Sequence, residues 1–237
     1  MFKFFSPNKQ IEKLNDVKIV RTSKRFKTVL LRVKDGEAEI LCPYFTSNRY
    51  LKSLIDKKSE WIERKINSSI ETLNKSNQIS NGFIWFKGAK LKLVYVKGNY
   101  AETVLSDKTL KIFYKGAIVK SKRRIIVNWL KSQSDLFLNK RLPFISKEIG
   151  IDFSSHKIKT YNARWGSCNE KGEISLNWKL IMLPVSIIDY VLIHELCHVI
   201  VQNHSSTFWN LVNKKCPNYK KKKKWLKDNG SFLIAFH

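Results

Sequence analysis

The sequence contains no stretch of eighteen apolar residues, which excludes a helical membrane span. Its first residues, Met1-Phe2-Lys3-Phe4-Phe5, lack an apolar run long enough for a secretory signal. Cysteine is scarce: Cys42, Cys168, Cys197 and Cys216 are scattered, and no two form a C-x-x-C pair. That spacing offers no disulfide framework, so reduced thiols in a cytoplasmic protein are expected. No internal repeat is visible, and no low-complexity segment beyond one lysine run. Acid is short as well: 19 Asp and Glu stand against 45 Lys and Arg, a formal net charge of +26. The resulting field attracts anions such as nucleic acid, nucleotides, acidic lipid or acidic protein segments, although scattered lysines also serve simply to solvate a surface. The densest cluster is Lys220, Lys221, Lys222, Lys223 and Lys224, with Trp225 next to it.

What is present is a well-filled interior. Apolar residues make up 43% of 237, with seven Trp and fourteen Phe, enough for one large domain or two small ones. The first part reads as β-rich. Val17 to Val20, Thr28 to Val33 and Glu37 to Leu41 are short β-branched runs, and Lys34-Asp35-Gly36 supplies a hairpin turn. Thr46 or Ser47 caps a predicted helix from Arg49 to Leu73, and Asn74 to Asn81 is a polar linker. A second strand group spans Phe83 to Phe113, with turns at Lys97-Gly98-Asn99 and Ser106-Asp107-Lys108. From Val119 the pattern turns helical, with one long helix through Pro143 and two short strands at Lys157–Tyr161 and Glu173–Leu176. The expectation is an α+β chain: a β-rich region with one long helix over 1–118, then a mainly helical domain with a small sheet over 119–237.

The chemistry concentrates in one window. His194-Glu195-Leu196-Cys197-His198 is an H-E-x-x-H motif, and His204 follows six residues after its second histidine. Histidines four apart on a helix project from one face and can share a metal ion, while the adjacent glutamate can reach a water on that metal. Three neutral imidazoles leave the ion its full charge, which suits Zn2+ acidifying a water with Glu195 as general base. His204 lies beyond the helix, which Gln202-Asn203 is expected to break, with Asn203 able to take a left-handed conformation. The spacing of the third histidine equals that of the metzincins, but Val201 stands where those have glycine, and no Met-turn follows.

A longer tract resembles a different group. Arg164-Trp165-Gly166-Ser167-Cys168, Gly172-x-Ile174-x-Leu176-Asn177, Pro184, Asp189-Tyr190-Val191, the H-E-x-x-H itself and Asn203-His204-Ser205-x-x-Phe208-Trp209 together resemble the YgjP-like metallopeptidase family, relatives of the SprT-like and minigluzincin proteins. The resemblance implies a zincin-like fold for the C-terminal half, metal ligands at His194, His198 and His204, and a catalytic Glu195. It also draws attention to Arg164 as a binder of an anionic substrate group or the oxyanion. Trp165 and Gly166 read as core and tight turn, with an active-site wall as the alternative; Tyr190 reads as a core aromatic or a partner of a ligand histidine, Cys197 as core, and Asp189 as orienting a histidine or capping a turn. A thiolate from Cys168 as fourth ligand would close the site and make it structural.

Three functions compete. The first is a zinc-dependent hydrolase acting on a peptide or protein substrate. The second is a metal-dependent nucleoside-triphosphate pyrophosphohydrolase, which the positive charge suits, although that chemistry often wants carboxylate-bound magnesium. The third is a nucleic-acid-associated protein with a structural metal, binding through Lys220 to Lys224, for which no known nucleic-acid fold signature is present.

Overall fold

The computed structural model describes residues 10–23, 25, 27–34, 36–76, 81–115 and 122–236. The chain is α+β. Contacts divide it into two compact units, Met1–Lys75 and Ser76–His237. The boundary expected after residue 118 falls outside the described residues. The second strand group, read with the N-terminal part, shares a core with the helices of the second unit: Ile84, Leu91, Leu110 and Ile112 are buried together with Ile126, Leu130 and Leu192. Among the described residues, no helix is long and apolar enough to cross a membrane.

In the first unit, strands β1 (Gln10–Leu14), β2 (Val17–Arg21), β3 (Leu30–Lys34) and β4 (Glu37–Cys42) form a sheet in the order β1-β2-β4-β3. β2 and β4 run parallel, and the other neighbours are antiparallel. β1 is an edge strand too polar to have been legible as one. It exists because Asn15 and Asp16 both adopt positive φ (46° and 61°), the two-residue turn whose twist matches a hairpin. In the turn expected at Lys34-Asp35-Gly36, Asp35 lies outside the described residues, while Gly36 has φ 81°. The single helix expected over 49–73 is two, α1 (Asn48–Lys57) and α2 (Ser59–Ser76), interrupted at Lys58 (φ −111°, ψ 10°). Ser47 caps α1 by accepting a hydrogen bond from the Tyr50 amide at 3.2 Å. Leu51, Ile55 and Ile62 then pack with Val17, Ile19 and Ile40.

The second unit opens with β5 (Phe83–Phe86), β6 (Ala89–Lys97), β7 (Glu102–Ser106) and β8 (Thr109–Tyr114) in the order β5-β6-β8-β7, with β6 and β8 parallel. The order and directions repeat those of the first sheet. No repeat is visible in the residues because a sheet fixes only inward alternation, not side-chain identity. α3 (Lys122–Ile149) is one continuous helix with Pro143 inside it. A three-stranded sheet follows, β9 (Ser155–Lys159), β10 (Gly166–Cys168) and β11 (Glu173–Asn177), in the order β10-β11-β9, so β10 lies at an edge. After a 3₁₀ turn at Trp178–Met182 come α4 (Val185–Ile200), α5 (Ser206–Lys215) and α6 (Tyr219–Ile234).

α4 is the central helix, and Ile188, Leu192, Leu196 and Cys197 on it are fully buried. Asp189, on α4, receives two hydrogen bonds from Arg141 on α3, at 2.8 and 2.7 Å. It neither orients a histidine nor caps a turn; it ties the motif helix to the long one. Two lysines close helix ends in the same spirit: Lys215 donates to the carbonyl of Ile149 and Lys179 to that of Ile234, both at 2.5 Å. Cations there satisfy carbonyls that have no partner within their own helix and complement the negative end of its dipole.

Candidate metal centre

The 3.6-residue period of α4 sets His194 one turn before His198, and the chain turns back to bring His204 to both. α4 ends at Ile200, and Val201 follows in an extended conformation (φ −132°, ψ 105°) that needs no glycine. The Val201 carbonyl accepts a hydrogen bond from Nδ1 of His198 at 3.0 Å, which leaves the Nε2 lone pair of that ring free. Gln202 donates to the carbonyls of His198 (2.6 Å) and Asn169 (3.2 Å), closing the helix end. Asn203 does not take the left-handed conformation expected of it; its Oδ1 instead accepts from the Ser205 amide at 3.1 Å. A side-chain turn does what a backbone inversion was expected to do.

The three Nε2 atoms converge. His204 Nε2 lies 3.1 Å from that of His194 and 3.2 Å from that of His198, and one donor atom from each ring falls within a 4.8 Å cluster. Tetrahedral zinc with nitrogen ligands at about 2.0–2.1 Å would separate such donors by about 3.3 Å. Two of the rings also have the right charge. Burial first, then neighbouring His198, His204 and Lys223, push the His194 imidazolium down to about 3, and burial lowers His198 too. Neutral imidazoles sharing one focus fit a bound cation. Among the described residues no cysteine or carboxylate joins the cluster, so Cys168 is not a fourth member.

The cluster is held from behind by aromatic packing. Phe208, fully buried on α5, stacks on the His198 ring (4.3 Å, 21°) and meets His194 and His204 edge-on at 5.0 and 4.9 Å. Trp209 lies nearly parallel to His204 (5.6 Å, 25°), and Tyr190 is tilted against His194 at 6.1 Å. Such contacts matter for His194, whose Nδ1 is buried without a hydrogen-bond partner.

Glu195 is 5% exposed, and burial pushes its carboxyl up to about 8, with Arg164 opposing the shift. Gly166 makes room for it. The sequence suggested a tight turn there, but Gly166 begins strand β10 and faces Glu195: an added Cβ would lie 2.7–2.8 Å from Cγ, Cδ and Oε1 of that glutamate. Nothing local marks this role, because the contact joins residues 29 apart. Asn177 secures the approach to β10. Its side chain, fully buried, donates to the carbonyls of Tyr161 and Arg164, each at 3.0 Å.

His194, Glu195 and His204 open on a cavity of about 450 Å³ that Arg164, Trp165 and Tyr190 also line. Trp165 is thus half core and half wall. Sequence reasoning read Lys223 only as part of the basic run; its ammonium sits 3.7 Å from the centre of the Trp209 ring and lines the same cavity. Its i, i+4 spacing from Tyr219, which stacks on Trp209, was the available signal.

Residues 27–229 match the YgjP-like metallopeptidase domain. The chain belongs to the YgjP-like metallopeptidase family. The crystal structure of the metallopeptidase zymogen of Pyrococcus abyssi abylysin is similar to 40% of this chain and 96% of its own, with 24% identity and a TM-score of 0.36. No curated protein matches. As a YgjP-like protein, the chain is placed among metal-dependent peptidases, and His194, His198 and His204 form the candidate centre that this class of chemistry requires.

Proposed function

We propose that this protein is a zinc-dependent peptidase in which His194, His198 and His204 hold one Zn2+ and Glu195 is the general base. The observation that carries the reading is the convergence of three Nε2 atoms beside a buried glutamate at the mouth of a cavity. When bound, the ion would polarise the scissile carbonyl and acidify a water. Glu195 would take a proton at its carboxylate and return it to the leaving amine. Burial outweighs the opposing Arg164 and keeps Glu195 protonated up to about 8; the charge of a cation held by the histidines would favour the ionised form that a base needs. Arg164 at the cavity wall suits the developing oxyanion or an anionic substrate group.

The donor set argues against a pyrophosphohydrolase, since three imidazoles are a poor cradle for magnesium. The lysine run gives limited support to a nucleic-acid partner: Lys222 donates to Cys216 Sγ (3.5 Å), Lys223 lies over Trp209 and Lys224 pairs with Asp228. Lys220 and Lys221 keep that partner as a secondary proposal, testable by salt-dependent binding. All four cysteines are free thiols, which suits the cytoplasmic location we propose. For the main reading, Glu195→Gln should retain zinc and lower peptide turnover by at least about a hundredfold. Turnover at the wild-type rate would sink the mechanism.

A further inference from the structure

The cavity beside the histidines carries an uneven charge. Trp165, Tyr190, Val191, Trp209 and Leu226 give it apolar walls; Arg164 and Lys223 are its two fixed cations, and Glu195 is the one acid among the described lining residues. Lys223 differs from its neighbours in the run, because it turns toward the site while Lys224 pairs outward with Asp228. Its ammonium lies over Trp209, the ring that stacks beside His204, and it lines the cavity onto which His194 and His204 open. A lysine held next to imidazoles that gather a cation is electrostatically unfavourable on its own. The arrangement becomes favourable when an anion enters between the charges, and cation–π contact with Trp209 holds the ammonium ready for it.

We propose that this cavity takes a peptide carboxylate next to an apolar side chain, with Lys223 and Arg164 as the charge partners and Trp165 and Trp209 flanking the side chain. The inference rests on the peptidase reading and narrows it to a substrate class. An acidic side chain and a free chain terminus offer the same chemistry, and the experiment separates them.

The test uses the full-length, zinc-loaded Glu195→Gln protein and reads binding directly by quenching of tryptophan fluorescence. Three peptides share one phenylalanine: one has Glu after it and an amidated end, one has Gln after it and a free terminal carboxylate, and one has Gln and an amidated end. At least one carboxylate peptide should bind about tenfold tighter than the neutral one, as expected for a charge-assisted hydrogen bond. Whichever of the two is preferred identifies the source of the carboxylate. Adding Lys223→Met should remove that preference, so that the carboxylate and neutral peptides bind alike, while zinc content stays the same; Lys223 is exposed, so its replacement leaves the core intact. Equal binding of all three peptides, or a preference that survives Lys223→Met, would overturn the proposal. A wild-type protein that cleaves no peptide would undo the peptidase reading but leave a measured carboxylate preference standing. Cleavage without such a preference would do the reverse.

Discussion

At the scale of single residues, two positions decide how well the centre works without belonging to it. Gly166 is needed because any Cβ would strike the Glu195 side chain at 2.7–2.8 Å. Gly166→Ala should therefore bind zinc normally and lose about a hundredfold in kcat, the cost of moving a reacting group by about an ångström; zinc stoichiometry and steady-state kinetics check both halves. Phe208 stacks on His198 and borders the other two histidines. Phe208→Leu keeps most of the core volume and removes the stacking, so zinc affinity should fall about tenfold by competition with a chelator. His194, Glu195 and His198 were legible because helical periodicity fixes their geometry within five residues, and His204 because of its spacing beyond the helix end. Gly166 was not, since its partner lies on another element, and Asn203 was misread because a side-chain hydrogen bond replaced the backbone inversion.

At the scale of elements, the motif helix is positioned by contacts distant in sequence. Arg141 and Asp189, 48 residues apart, join α3 to α4 through two hydrogen bonds. Asp189→Asn should lower stability by about 1–3 kcal/mol in urea denaturation while zinc still binds; an unchanged midpoint would show that the pair is only a surface contact. Most strands were legible from β-branched runs and turn residues. β1 was not, because its residues are polar and its pairing depends on Asn15 and Asp16 accepting positive φ. The break at Lys58 was hidden inside an apolar pattern that continues across it.

At the scale of the whole molecule, the buried glutamate makes stability depend on pH and on metal. The folded pKa of Glu195, about 8, lies above its ordinary value of 4.5, so the folded protein keeps a proton that the unfolded chain releases. That contribution is fully present below about 4.5 and is lost as pH rises through 8. His194, held down to about 3, works in the opposite sense below 6.5, where the unfolded chain gains a proton the folded one refuses. Metal-free wild type should thus lose melting temperature between pH 6.5 and 8, and metal-free Glu195→Gln should not; parallel curves for the two would show that Glu195 ionises freely. The shared strand order of the two four-stranded sheets also belongs to this scale, and no residue pattern announced it.

In the proposed mechanism three histidines alone hold one zinc ion and leave a position open. X-ray absorption on the stoichiometrically loaded protein tests it most directly. One zinc per chain with three nitrogen donors, at least one further oxygen and no sulfur is the expected result. A sulfur in the coordination shell, or fewer than three histidine nitrogens, would contradict it.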